Sequence, residues 1–406
     1  MQVPEARMKT MRNRCLGVFI FLLGSSLCHA ETGNTAPASD GFLLKGFGTF
    51  GVARSDSNSA EYVRDLSQPK GLTKSWSSKI DTLFGVQANL KLGAQSEGVV
   101  QLISRYRYDG SYRPEVSWAF LRHDFTPDFQ VRIGRLGTEF YMLADSRLVG
   151  YSNLTVRPPP DFYGPLVFSY FDGFDTGWST DLGAGLLRAK FYAGISPESS
   201  PFVSPITWNL NGSRLIGGHL DYFLGPWQLR IASADVKFNS ELPIDALANL
   251  PLTTLVPETR VKNTHARFDS VGVVFDKGPL QVQGMLGRIR YDSVAYEDSR
   301  AGFVIASYRL GQFSPYLGYS KTRSSPGTFT TVGPFTGLAQ TLASATHTNH
   351  HTITVGSRWD VYQNVALKIQ FDAIRGKPDS AFTFRGDIVQ WDGSMNVMSL
   401  ALDFAF

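Results

Sequence analysis

Beyond residue 40 the chain repeats one pattern, segments of about ten residues in which apolar and polar side chains alternate, broken by Gly, Pro, Asp and Asn. That period belongs to β-strands with two unlike faces. The clearest case ends the chain, where Met398, Leu400, Leu402, Phe404 and Phe406 share one face and Ser399, Ala401, Asp403 and Ala405 the other. Likewise Ile80, Phe84, Val86, Leu90 and Leu92 oppose Lys79, Asp81, Gln87, Asn89 and Lys91. The pattern predicts strands over 42–53, 79–92, 98–108, 115–125, 128–135, 168–181, 186–195, 213–224, 227–238, 265–276, 279–291, 299–310, 312–323, 349–360, 364–375 and 394–406. No stretch after residue 30 approaches the roughly 18 consecutive apolar residues of a spanning helix.

The links between these strands alternate in kind. Short turns fall at 93–98, 126–128, 182–185, 225–226, 277–278, 311 and 362–363. Most of the others are long: 54–78, 136–167, 239–264, 324–348 and 376–393; 109–114 and 292–298 are short. A sandwich shares the alternation, but tight turns on one rim and long loops on the other predict an all-β transmembrane antiparallel barrel of about sixteen strands. Closure removes the sheet edge that lipid cannot satisfy. Aromatics at strand ends (Tyr106, Tyr108, Trp118, Tyr222, Trp227, Tyr308 and Trp359) are expected to form the interfacial girdles.

Composition agrees. The 406 residues are 43% hydrophobic and 18% charged, with 39 glycines and 29 phenylalanines, against roughly 25% charged residues in soluble domains. A barrel explains the deficit, because half of each strand meets lipid. The net charge of +4 would suggest a nucleic-acid partner, but its source is local. Arg7, Lys9, Arg12 and Arg14 precede an apolar run over 15–23 and the small-residue pattern Cys28-His29-Ala30, a secretory signal peptide over 1–30. A lipoprotein reading at Cys28 is disfavoured by the order of Ser25 and Leu27. Removing 1–30 takes four of the 39 basic and one of the 35 acidic residues, leaving about +1, and removes both cysteines. No nucleic-acid partner and no disulfide are expected of the barrel domain, 31–406. Residues 31–40 are short and polar, so no plug domain and no energy-coupled uptake are expected.

The opening strand Gly41 to Val52, the stretch Phe129-Gln130-Val131-Arg132-Ile133-Gly134-Arg135 before a long loop, and the C-terminal strand ending in Phe406 resemble the Gram-negative outer-membrane porins. The resemblance implies passive diffusion of small hydrophilic solutes and ions through a water-filled lumen. It also implies a homotrimer set among outer-membrane lipid and lipopolysaccharide, and Phe406 as an assembly signal read by the barrel-assembly machinery. The loop after the fifth strand is implied to fold inward and narrow the channel. Here that loop, 136–167, carries Glu139, Asp145 and Asp161, with Arg147 and Arg157 beside Pro158, Pro159 and Pro160; the family's Pro-Glu-Phe-Gly type motif is not evident.

Alternation supplies wall candidates independently. Arg105, Arg107, Arg132, Arg188, Lys190, Arg230, Arg358 and Lys368 oppose apolar neighbours and are predicted to face the lumen, with Asp81, Asp175, Asp221 and Asp372. A lipid-facing Arg or Lys at the midplane would cost roughly 2–4 kcal/mol. With Arg135 and the loop acids these bases make up the candidate constriction, and their excess predicts a mild anion preference. Arg122 shares a face with Trp118 and Phe120 and reads as interfacial; parity blurs where Leu280, Val282 and Leu286 share a phase with Arg288 and Arg290, which a bulge of no assignable position would resolve.

Two other function classes make different demands on the sequence. A substrate-selective channel would want aromatics along the lumen, for which Phe171 and Tyr192 are the candidates. A barrel enzyme would need convergent catalytic groups, and His219-x-Asp221 is a thin basis for one. His347, His350 and His351 lack ligand-spaced partners, so no metal or cofactor is expected.

Overall fold

The computed structural model describes residues 41–144, 146–203, 205–380, 384–386 and 391–406; the predicted signal segment and Asp145 lie outside them. Among the described residues the barrel strands are β1 (Phe42–Ser55), β2 (Leu83–Lys91), β3 (Ser96–Arg105), β4 (Glu115–Thr126), β5 (Phe129–Gly137), β6 (Tyr170–Leu182), β7 (Gly185–Ile195) and β8 (Arg214–Leu224). They continue as β9 (Trp227–Lys237), β10 (His265–Lys277), β11 (Leu280–Tyr291), β12 (Asp298–Tyr308), β13 (Phe313–Ser325), β14 (Asn349–Tyr362), β15 (Val365–Gly376) and β16 (Ser394–Ala405). Each pairs antiparallel with its chain neighbours and β16 pairs with β1, so the sheet closes on itself as a sixteen-stranded barrel. Every predicted strand overlaps an observed one. The largest shift is in the second, which begins at Leu83.

The turn rim is built from tight hairpins. Gly183, Gly225, Gly278, Gly311 and Asn364 take left-handed φ values of 54–64° there, a conformation open to Gly and Asn but strained for other residues. On the opposite rim the long loops pack on one another. Ala60–Tyr62 of the first pairs with Phe384–Gly386 of the last, and Ser199–Pro201 pairs with Thr207–Asn209 within a third. At the seam Gly46 and Phe406 exchange two N–H···O bonds of 2.9 Å, and the Phe406 ring covers Gly46 where any Cβ would collide.

The outer face is the predicted apolar one: Phe50, Leu121, Ile133, Leu286 and Leu317 are all more than half exposed. Trp178, Trp227, Tyr308, Phe313 and Trp359 ring the turn rim, with Phe313 and Trp359 stacked at 5.4 Å. This is a transmembrane barrel surface.

Three parity assignments change. A bulge at Ser117, between the pairings Gln101–Trp118 and Leu102–Val116, turns Trp118, Phe120 and Arg122 inward. Trp118 is therefore not a girdle residue, and Arg122 is luminal, bonded to Asp124 at 2.9 Å, rather than interfacial. In β11 the register is continuous, so no bulge resolves the blurred parity and Arg288 and Arg290 project outward at the loop end. Arg135 shares the outward parity of Ile133 and pairs with Asp172 (2.7 Å), so it lies outside the constriction.

Arginine at the two faces of β11 should therefore differ in cost. Leu286→Arg, on the lipid face, is expected to destabilise the barrel by about 2–4 kcal/mol, and Gln283→Arg, on the luminal face, by less than about 1 kcal/mol. Denaturant unfolding in phospholipid vesicles reads both; equal costs would reject the assigned parity.

Candidate channel constriction

The predicted constriction loop occupies residues 138–169, between β5 and β6, and folds into the barrel. Its composition drives it there. Phe140, Tyr141, Met142, Phe162, Tyr163, Leu166 and Phe168 are all buried, although a loop on the open rim would leave them wet. They pack on inward aromatics and aliphatics of the wall: Phe140 on Phe268 of β10 (4.8 Å between rings), Phe162 on Phe303 of β12 (5.3 Å), and Tyr163 against Met285 of β11. Phe171 and Tyr192 are inward as predicted and join the same core. Thr138 closes the loop's neck by donating to the Phe168 carbonyl at 2.9 Å.

Elsewhere on the circumference the contacts are polar. One helical turn, Pro160–Tyr163, presents Asp161, which accepts from Ser320 Oγ of β13 (2.7 Å) and lies 3.1 Å from His350 Nε2 of β14. The preceding limb runs along β14 to β16. Arg157 is fully buried, clamps Asp81 with two bonds (2.8 and 2.6 Å), and reaches Asp372 (3.3 Å) and Ser399 Oγ (2.6 Å). Lys368 Nζ donates to the carbonyls of Gly150, Asn153 and Thr155 (2.8, 2.6 and 3.0 Å) and pairs with Asp403 (2.8 Å). Arg358 donates to the Tyr151 carbonyl and pairs with Asp360. Gly150 sits where a Cβ would strike both Thr49 and Asp403, so only glycine lets the loop approach this closely.

Near the loop's start Glu139 accepts from Lys190 Nζ (2.5 Å) and Arg132 (3.4 Å), with His219 Nε2 at 3.6 Å. Burial opposes its charge, but Lys190, His219, Arg132 and Arg230 outweigh burial and hold Glu139 below the usual carboxylate range. Arg132 also clamps Asp175, and Arg230 clamps Asp221 with two 2.7 Å bonds. Arg105 pairs with Glu115 (2.9 Å), and Arg107 approaches the same carboxylate at 3.7 Å from just beyond the strand end. Arg188 differs from the other seven predicted wall bases. Its guanidinium lies 5.0 Å over the Phe223 ring, and no carboxylate pairs with it among the described residues. On the turn side of the loop the luminal surface is polar and only half-buried, with Asn89, Glu97, Arg122, Asp124, Gln130, Ser179, Arg188, Gln281, Gln283 and Asp360.

The sequence reading missed the loop's apolar core and the wall positions that receive it. One signal was available. Asp403 is a lone carboxylate in an apolar strand, and such a group needs a cation. The three histidines diverge. His350 is inward, His351 has the outward parity, and His347 bonds Glu297 at 2.7 Å. Ser380 Oγ (2.7 Å to His350 Nδ1), His350 and Asp161 form a serine–histidine–aspartate chain. All three are buried, Ser380 completely, and the chain fastens the loop to the wall.

Comparison with models of known protein families and with curated proteins finds no match. Solved structures do match. An anion-selective porin from Comamonas acidovorans aligns at 16% identity and TM-score 0.54, covering 90% of this chain and 99% of that one. OmpF of Salmonella typhi, in complex with daunomycin, aligns at 10% identity and TM-score 0.57, covering 90% and 97%. OprB of Pseudomonas putida aligns at 9% identity and TM-score 0.55, covering 90% and 94%. The chain has the fold of the Gram-negative outer-membrane porins.

Two outcomes follow from the loop's anchors. Arg157→Ala strands two buried carboxylates and should cost about 3–5 kcal/mol, whereas Arg157→Met with Asp81→Asn and Asp372→Asn should recover most of it; guanidinium unfolding in vesicles reads the difference. Glu198, in the neighbouring loop, accepts the N–H groups of Ser169 and Tyr170, yet burial pushes its carboxyl up to about 7. A raised folded value means stability is full below the ordinary 4.5 and lost as pH rises through about 7. Glu198→Gln should therefore match the wild type near about pH 5 and exceed it by about 1–3 kcal/mol near about pH 8. An advantage that does not grow with pH would contradict the assignment.

Proposed function

We propose that this protein is an outer-membrane channel through which small hydrophilic solutes and ions diffuse passively, along a path that the 138–169 loop holds narrow. The observation that carries this reading is the loop's attachment to the wall around the lumen, from Glu139 at β5, β7 and β8 to Gly150 at β1 and β16. A polar, half-buried vestibule on the turn side supports an aqueous route.

The selectivity expected is weak. Seven of the eight predicted wall bases lie at ion-pair distance from a carboxylate, which cancels most of the field they would apply to a passing ion. Arg188 is left to favour anions. A homotrimer belongs to the same proposal, since small residues Ala88, Gly98 and Ala119 form a shallow apolar notch on the outer face of β2 to β4 that a second barrel could approach closely.

Planar-bilayer recording tests the proposal. The wild type should give small single-channel steps and a reversal potential near zero under a salt gradient, displaced slightly toward anions. Lys368→Gln with Asp403→Asn frees the 150–155 limb without stranding a charge and should enlarge the steps severalfold. Silence of both proteins, or a clear cation preference, would refute the reading.

A further inference from the structure

The first long loop, which joins β1 to β2, also enters the mouth of the barrel. Residues 62–68 are buried in unbroken succession, without the alternation of the strands. A connection lying on the rim would keep one side wet, so this stretch has neighbours on every side.

Four elements supply them. The constriction loop accepts the Leu66 N–H on the Gly164 carbonyl (2.9 Å) and an Arg64 Nη2 bond on the Arg147 carbonyl (2.5 Å), and its Arg157 guanidinium lies 5.4 Å from the centre of the Tyr62 ring. Arg105, at the loop-rim end of β3, donates to Ser67 Oγ (2.9 Å). From the loop between β15 and β16, Arg385 donates to the carbonyls of Leu66 (2.6 Å) and Gln68 (3.0 Å). The same guanidinium reaches the carbonyls of Phe202 (3.0 Å) and Pro201 (3.4 Å), in the loop between β7 and β8, where Ser200 Oγ also donates to the Leu66 carbonyl (3.4 Å).

Those last two loops are rooted eight strands apart in a ring of sixteen, on opposite sides of the barrel. They meet at Leu66, so the contact bridges the mouth across its width. Charge fastens the bridge to the loop beneath. Asp65 accepts the Ser67 N–H (3.0 Å) and the Ser67 hydroxyl. Burial opposes its charge, but Arg147, Arg105, the Ser67 hydroxyl and Arg64 outweigh burial and hold Asp65 below the usual carboxylate range. One carboxylate thus attracts cations of the constriction loop, of β3 and of its own loop.

We propose that residues 62–68 are a second size filter of the channel, in series with the 138–169 loop and on its loop-rim side, with Leu66 as the residue at which the filter spans the mouth. The proposal rests on the channel reading and deepens it, since two loops rather than one then set the exclusion limit.

The backbone offers a way to remove the filter alone. Tyr62 and Leu72 exchange N–H···O bonds of 3.2 and 2.7 Å, so residues 63–71 leave and return at one point, and Asn-Gly can replace them as a two-residue turn. Planar-bilayer recording and the swelling of vesicles in saccharides of graded size read the result. The shortened chain should give steps about twofold larger than the wild type and admit a larger saccharide, and Arg385→Gln should move both in the same direction by less. Heat-modifiable gel migration identifies the folded proteins. Wild-type steps and exclusion limit in the folded variants overturn the proposal and leave the channel reading intact, whereas silence of every protein overturns the channel reading and the filter with it. A second readout needs no current. Both cysteines of the chain lie in the predicted signal segment, so Val63→Cys and Lys70→Cys each give the barrel domain a single thiol. Val63 is buried and Lys70 exposed, and an impermeant maleimide should label the Val63→Cys protein at least about tenfold more slowly than the Lys70→Cys protein. Equal rates would put the stretch outside the mouth and overturn the proposal.

Discussion

A peptide group facing hydrocarbon has no water to bond, so a sheet in a membrane must close completely. In this chain that constraint is met at the seam of β1 and β16, where nine residues of β1 pair in register and Gly46 and Phe406 complete the ladder. Closure fixes the rest. With sixteen strands the interior is too wide for wall side chains to fill, as it is in porins that leave an aqueous lumen. Whatever occupies the centre must come from a loop, and every charge it carries inward must find a partner there.

The 138–169 loop meets both demands by dividing its circumference. Against β7 to β12, apart from Glu139 on Lys190 and His219, it packs apolar side chains on Tyr192, Phe268, Met285 and Phe303, and the gain is the ordinary one of burying hydrocarbon. Against β13 to β16 and β1 it uses ion pairs with additional hydrogen bonds, because the wall there carries Asp372, Lys368 and Asp403. Neither half suffices alone. The apolar half tolerates sliding, whereas the Arg157 fork admits one register, since losing any partner strands a buried charge. The fold thereby gains a loop whose position is specified from one side and whose adhesion comes from the other.

How much of this the sequence displays depends on what repeats. The strands and their order are legible because period two is imposed on every strand by the same lipid, and because Gly and Asn punctuate the turn rim at 183, 225, 278, 311 and 364. The wall bases are legible for the same reason. The loop's packing is not, since Phe140, Tyr141, Phe162 and Phe168 follow no period, and Phe268, Met285 and Phe303 are apolar on the face where a porin lumen is expected to be polar. Parity also fails where one residue is inserted. The bulge at Ser117 reverses Trp118 and Arg122, a slip that pattern alone cannot locate. The apparent conflict in β11 was no conflict, because the apolar belt ends below Arg288 and the strand continues past it toward the loop rim.

That last point separates two uses of one residue type. Inside, arginine other than Arg188 is held against a carboxylate, as in Arg132 with Asp175, Arg157 with Asp81 and Arg230 with Asp221, and the protein supplies both charges. Counting such residues overstates the field in the lumen, because each pair is nearly neutral a few ångströms away. Outside, the pairing is mixed: Arg135 meets Asp172 and Arg288 meets Asp298, while Arg300 and Arg323 face each other across adjacent strands with no bonded carboxylate among the described residues. Among the eight predicted wall bases Arg188 alone has no carboxylate at ion-pair distance among the described residues, so most of the basic excess legible in the sequence is spent on holding the loop and the wall together.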